Sequence, residues 1–351
     1  MLRDLTVLIT AAGNVFMPGT TACLRKNGER NIRLIGADMN DDSSILQMCD
    51  AYYSVPRGDD PNYIDTLLEI CRKEKVDVLL PIMSVELNAL AANREKFEKE
   101  GTHVSVSDEK GLDIANDKLK LFNFMKENNL PCADYCAVHN LQELREDANK
   151  MGYPKKSICI KATHGSGSRG FRILDETKSR YELFLYDKPT ASYVTLNEME
   201  QILKEATIFP ELLIMEYLPG KEYTVDLLAE HGKVLYNCCR KSLGMENSIM
   251  LDGIVVDKPE ILELCASITE KLALDGNIGF DIKEDANDNP YILECNPRIT
   301  AGIPIFAAAG INLPYLNVKR LIGEPLPELK LNYGTTVKRR WMEMYTADRK
   351  S

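Results

Sequence analysis

The chain begins with a short apolar run, LTVLIT (5–10), and runs of the same kind recur at NIRLIGAD (31–38), AYYSVP (51–56), VDVLLP (76–81) and THVSV (102–106). All but AYYSVP are rich in Val, Ile or Leu, the pattern of a buried strand. Between them, YIDTLLEICRKEK (63–75) and ELNALAANREKFEKE (86–100) repeat apolar residues every three to four positions, which predicts helices. Strand and helix in alternation predict a parallel α/β sheet over the first hundred or so residues.

The pattern then changes. NDKLKLFNFMKENNLP (116–131) predicts one helix, capped by Asn116 and stopped by Pro131. ADYCAV (133–138) and SICIKA (157–162) read as strands, a helical stretch follows near 196–205, and LLIMEYL (212–218), KEYTVDLLAE (221–230) and KVLYNCCRK (233–241) are successive strands. After a helix over 259–273, NIGFDIKED (277–285) and NPYILECN (289–296) predict a hairpin across the turn DANDN, and TTVKRRWMEMY (335–345) a last strand. Antiparallel pairing therefore dominates this half. No repeat or low-complexity segment interrupts it.

With 351 residues, 44% of them hydrophobic and 27% charged, the chain can bury the cores of two or three domains. A net charge of −10 argues against binding a nucleic-acid backbone, so an anionic ligand must be held by a local basic cleft. No basic n-region opens the chain and no apolar run approaches the roughly 18 residues of a membrane span, so a cytoplasmic protein with no membrane partner is expected. Ten cysteines without a Cys-x-x-Cys pair predict buried, reduced thiols.

Candidate chemistry sits at the strand ends. After the first strand, a G-x-G-x-x-G placed on Gly13 would need glycines where Ala11 and Phe16 stand, so the turn does not read as a dinucleotide site. KATHGSGSRGFRIL (161–174) carries Gly165, Ser166, Gly167, Ser168 and Gly170, a loop able to turn backbone N–H groups toward phosphates or to serve as a plain hairpin. Lys161 enters that loop, and Lys118 lies on the helix before it; each is a phosphate contact or an ordinary solvated lysine. In YILECNPRITAG (291–302), Glu294, Asn296 and Arg298 alternate and face one side of a strand, while Cys295 faces the other. The hairpin brings Asp281 to the same sheet end, and two carboxylates with an amide oxygen suit a hard cation such as Mg²⁺ that also holds nucleotide phosphates.

Lysine, Gly/Ser loop, apolar hinge strand with a downstream Glu, and Asp…Glu-x-Asn-x-Arg follow one another here as in the ATP-grasp ligases, which the chain resembles over nearly its whole length. The resemblance implies α/β and α+β architecture: a Rossmann-like parallel-sheet domain (1–115), a linker helix and lid subdomain (116–214), and a catalytic subdomain (215–351). It implies ATP with Mg²⁺, or Mn²⁺, as cofactors. Lys118 and Lys161 would contact the phosphates under the loop from Thr163 to Gly170, and Met215, Glu216, Tyr217 and Leu218 would form the adenine hinge. Glu222 would meet the ribose, and Asp281, Glu294 and Asn296 would ligate the metal. Arg298 would steady the transferring phosphoryl group, with Arg240 and Gly302 beside a carboxylate pocket. Arg340 either faces that site or belongs to a simple packing strand. ECNPRITAG is similar to the carbamoyl-phosphate-synthetase large-subunit branch, in which two such units occur; the single unit here implies a stand-alone carboxylate–amine ligase. Small-molecule acid and amine substrates, and a possible homodimer, follow from that resemblance. An enzyme phosphorylating bicarbonate or carbamate, and a non-catalytic nucleotide binder, are the alternatives.

Overall fold

The structure is a computed structural model that describes residues 2–40, 43–164, 169–186, 192–246, 249–340, 343 and 345. The first sheet comes from β1 (Leu5–Thr10), β2 (Ile32–Asp38), β3 (Ala51–Ser54), β4 (Val78–Leu80) and β5 (His103–Val104), in the order β3-β2-β1-β4-β5 with parallel pairing throughout. Val7, Leu8 and Ile9 of β1 are wholly buried because helices cover both faces, which is why this strand reads as an unbroken apolar run. The helices are α1 (Met17–Arg25), α2 (Tyr63–Glu74), α3 (Ser84–Ala92), α4 (Arg94–Lys99) and α5 (Glu109–Ala115).

Two expectations in this region need correction. The single helix expected over 86–100 is two, because the Asn93 amide donates to the Ala89 carbonyl at 2.9 Å and ends the first one. α6 (Lys118–Glu127) is capped by Asp117 rather than Asn116: the Asp117 carboxylate accepts from Lys120 N–H at 3.0 Å. That helix also stops short of Pro131, with Asn129 left-handed at φ 53°.

A second sheet, ordered β6-β10-β7-β8-β9, combines β6 (Tyr135–Val138), β7 (Ile158–Ala162), β8 (Arg172–Leu174), β9 (Tyr193–Val194) and β10 (Leu212–Glu216). It is backed by α7 (Leu141–Lys150) and α9 (Leu196–Lys204), the latter fixed by a Thr195–Glu198 capping box, while α8 (Arg180–Tyr186) buries no side chain. Position 215, where the last domain is expected to begin, lies within β10.

The third sheet is antiparallel, ordered β15-β14-β11-β12-β13-β16, from β11 (Glu222–Glu230), β12 (Lys233–Glu246), β13 (Ile249–Val256), β14 (Gly276–Glu284), β15 (Pro290–Asn296) and β16 (Thr336–Lys338). α10 (Pro259–Lys271) packs on it, and α11 (Pro304–Ala308) and α12 (Leu313–Leu321) join it to the first sheet. Polar clamps complete that joint: Lys319 reaches Glu29 at 2.8 Å, and Asn317 donates to Ser105 at 2.7 Å. The second and third sheets meet along an apolar wall that includes Cys159, Met215, Leu218 and Ile292, and a cleft opens between them. Among the described residues no helix is long and apolar enough to cross a membrane. All ten cysteines are unpaired, and burial pushes thiols such as Cys71 up to about 12.

Candidate active site

The acidic centre is built by the β14–β15 hairpin. Asp285 closes its turn by accepting from Asn287 N–H at 2.7 Å and Asn289 N–H at 2.9 Å, and this sets the register in which Asp281 pairs with Glu294 and Gly279 with Asn296. Thr224 of neighbouring β11 donates to Asp281 at 3.2 Å. Burial, and then the nearby Glu294 charge, push the Asp281 carboxyl up to about 7. Two neighbouring carboxylates in a cleft fit a divalent cation, whose charge would offset their mutual repulsion. Asn296 is placed differently from its neighbours: its amide nitrogen faces Asp281 at 3.4 Å and its oxygen accepts from Arg298 at 2.9 Å. Asn296 would therefore join a metal through its oxygen only after its amide rotates. Cys295 turns the other way and is buried in the core behind the site.

Across the cleft, Lys161 stands within β7 with 9% of its surface exposed, and burial holds its ammonium below the usual lysine range. Lys118, the first residue of α6, points inward too, its Nζ 3.5 Å from Glu294. Both line a cavity of about 750 Å³ together with Met215, Glu216, Tyr217, Leu218, Glu222, Asp281, Glu294, Asn296 and Arg298. Glu216 accepts from Asp134 N–H at 3.1 Å, tying this segment to the strand before it. One end of the cavity, with Cys159, Ile173, Met215 and Leu293, is apolar; the other carries the charges, as a nucleotide base and its phosphates require. The expected phosphate-loop residues Gly165, Ser166, Gly167 and Ser168 lie outside the described residues; Ala162 N–H donates to Gly170 at 3.2 Å at the loop's far end.

Three arginines meet at the turn after β15. Arg298 donates through Nε to Ser84 at 3.2 Å and through Nη1 to the Ile299 carbonyl at 3.1 Å. Arg240, on β12, is 5% exposed and forms an ion pair with Asp226, which also accepts from Thr300 at 2.5 Å. Its guanidinium occupies the space a side chain at residue 302 would fill: a Cβ on Gly302 would stand 2.0 Å from Arg240 Cζ. Arg340 pairs with Asp252 at 3.5 Å and is 68% exposed, whereas Arg339 turns into the cavity, donates to the Ala301 carbonyl and lies 5.8 Å from the Phe16 ring centre. In the strand reading of 335–345, the inward side therefore belongs to 339. Asp226, Ser84, Thr300 and Arg339 escape the sequence reading, although Glu222, Thr224 and Asp226 show the same polar alternation as Glu294, Asn296 and Arg298.

A second cavity, of about 950 Å³, lies at the C-terminal ends of the first sheet's strands and shares Lys118, Arg169 and Glu294 with the first. Its walls include Gly13, Asp38, Gly58, Val85 and Asn88. In a doubly wound sheet this is the crevice where ligands bind.

Known proteins bear on this geometry. Residues 208–343 match the family described as "ATP-grasp in the biosynthetic pathway with Ter operon", and residues 7–105 match the "PylC-like, N-terminal domain". The chain is 25% identical over 289 residues to the carbamoyl phosphate synthase large chain of Clostridium acetobutylicum, covering 79% of this chain and 25% of that one. It thus spans about a quarter of the length of that curated relative. The biotin carboxylase domain of Hydrogenobacter thermophilus 2-oxoglutarate carboxylase, solved with MgADP, ADP and bicarbonate, superposes with a TM-score of 0.67 at 18% identity, over 94% of this chain and 72% of that one. N5-carboxyaminoimidazole ribonucleotide synthetase in its ADP complex gives 0.64 at 19% identity, over 94% and 79%.

Proposed function

Proceeding from an ATP-grasp chain of the carbamoyl-phosphate-synthetase-like branch, we propose that this protein is a carboxylate–amine ligase that activates the acid as an acyl-phosphate. The observation that carries the reading is the convergence of Asp281, Glu294, Lys118, Lys161 and Arg298 on one cleft with an apolar end. Mg²⁺, or Mn²⁺ in its place, bound at Asp281, Glu294 and a rotated Asn296 would neutralise the triphosphate of ATP. Lys161 and Lys118 hold phosphate oxygens, and the 215–218 segment with Glu222 receives the nucleoside.

A carboxylate oxygen attacks the γ-phosphorus, the bond to the bridging oxygen breaks, and ADP leaves. Arg298 lies where the charge develops, and its contacts to Ser84, Ile299 and Asn296 fix it in advance of the reaction. The neutral amine then attacks the acyl carbon, loses a proton, and phosphate departs with the C–O electron pair. The amine reaches this point through the cavity lined by the first sheet, which meets the other at Glu294. The boundaries at 115/116 and 214/215 are part of this proposal, as are a homodimer and a cytoplasmic location, the latter supported by ten unpaired cysteines.

ADP release with ATP, Mg²⁺ and pooled carboxylates, each with and without pooled amines and bicarbonate, tests the reading. Release that needs a carboxylate and rises with an amine supports it; release driven by bicarbonate alone favours the carbamoyl-phosphate-type alternative, and none at all a binding protein.

A further inference from the structure

The arginine cluster holds more positive charge than one carboxylate would match. Around the turn 298–302, Arg298 and Arg339 both donate to backbone carbonyls, and Arg240 lies against Gly302. Among the described residues only Arg240 of the three has a carboxylate within ion-pair distance, namely Asp226. Asp281 and Glu294, the nearest acids to Arg298, are committed to the metal in the reading above. Arg339 is left with a carbonyl and the Phe16 ring; burial, and then the Arg240 charge, hold its guanidinium below the usual range. The buried Nε of Arg240 has no hydrogen-bond partner. Above the same basin stands the start of α1, where Phe16 supplies no side-chain cap and the first turn has no acidic residue, while Phe16, Met17 and Thr20 line the cavity.

We propose that this basin binds a small acid carrying two anionic groups, with the reacting carboxylate at Arg298 beside Glu294 and a second carboxylate or phosphate at Arg339 and the start of α1. A monoanion would leave a half-buried guanidinium beside the Arg240 charge without a counter-charge of its own, which a partly desolvated site disfavours. The cavity of about 750 Å³ also takes the nucleotide, so the acid is small. Arg339 is then the residue that sets specificity. The inference rests on the ligase reading and narrows its substrate to a class.

Calorimetry on the full chain, saturated with Mg²⁺ and a non-hydrolysable ATP analogue, tests it. The probes are acetate and bicarbonate as monoanions, succinate and glutarate as dicarboxylates, and phosphonoacetate as the phosphate-like arm. One of the dianion arms is expected to bind at least about tenfold more tightly than the monoanions, a difference that an added charge-assisted contact readily supplies. Arg339→Gln should reduce that binding to the monoanion level while leaving monoanions and the ATP analogue unaffected, and Arg339→Lys should retain most of the preference. Equal binding of monoanions and dianions, no dianion binding, or an Arg339→Gln loss shared by every probe overturns the inference. Acetate driving full ADP release in Arg339→Gln overturns it while the ligase reading stands. Failure of the wild-type chain to bind the ATP analogue overturns both.

Discussion

Gly302→Ala tests how Arg240 is seated. An added Cβ would lie 2.0 Å from Arg240 Cζ and Nη2, against the 3.4 Å at which ordinary contact begins, so the guanidinium must withdraw by about 1.4 Å. It cannot do so and keep its hydrogen bond to Asp226, which is 1% exposed and, among the described residues, has only Thr300 to fall back on. Outright loss of one partner of a buried ion pair costs about 3–5 kcal/mol. Here the charge is displaced rather than removed, so the loss of one charge-assisted hydrogen bond, about 1.5–3 kcal/mol, is the better figure. Expressed in the arginine basin, that loss lowers kcat/KM for the acid roughly 10- to 150-fold, since about 1.36 kcal/mol is a factor of ten. ADP release against acid concentration gives this number. ATP affinity by calorimetry should stay within about twofold, because the mutated turn is at the other end of the cavity. Asp226→Asn should produce a loss of the same kind. A Gly302→Ala enzyme with wild-type kinetics and melting temperature refutes the placement of Arg240 beneath the turn.

Glu294→Gln removes one of two carboxylates at the cation site, and turnover should drop at least about a hundredfold with an unchanged circular dichroism spectrum; unchanged ADP production would remove Glu294 from the machinery. Val85→Trp fills part of the cavity of about 950 Å³ from an exposed position. It should raise KM for the amine about tenfold or more while leaving amine-independent ADP release alone, whereas an equal effect on both would show that the amine enters elsewhere. Native alkylation near pH 7.5 should be slow at every thiol and reach Cys132 and Cys136 first, since these are half-buried while the other eight are buried. Burial raises the Cys132 thiol to about 11, so its labelling should quicken steeply as pH climbs toward that value; fast labelling of Cys295 at neutral pH would contradict the packing behind the site.

Much of this architecture was legible because its signals are local. The alternation in β1 to β4 and the turn chemistry of DANDN lie within single segments, so the parallel sheet and the Asp281–Glu294 pairing follow from short stretches of sequence. The helix break at Asn93 and the cap at Asp117 were missed because each depends on which backbone group a polar side chain finds. Arg339 was missed for a different reason: whether 339 or 340 turns inward is decided by the pairing of Thr336–Lys338 with Ile254–Asp252, a contact between segments some eighty residues apart. Ser84 contacts Arg298 from 214 positions away, and no periodicity carries that information.

The central claim is that the acid is phosphorylated before the amine attacks. Turnover with an ¹⁸O-labelled carboxylate, followed by ³¹P NMR of the released phosphate, tests it most directly. An acyl-phosphate transfers one carboxylate oxygen to phosphorus, so each phosphate formed should carry one ¹⁸O from the acid. Phosphate that leaves with no label while ligation proceeds would contradict the account.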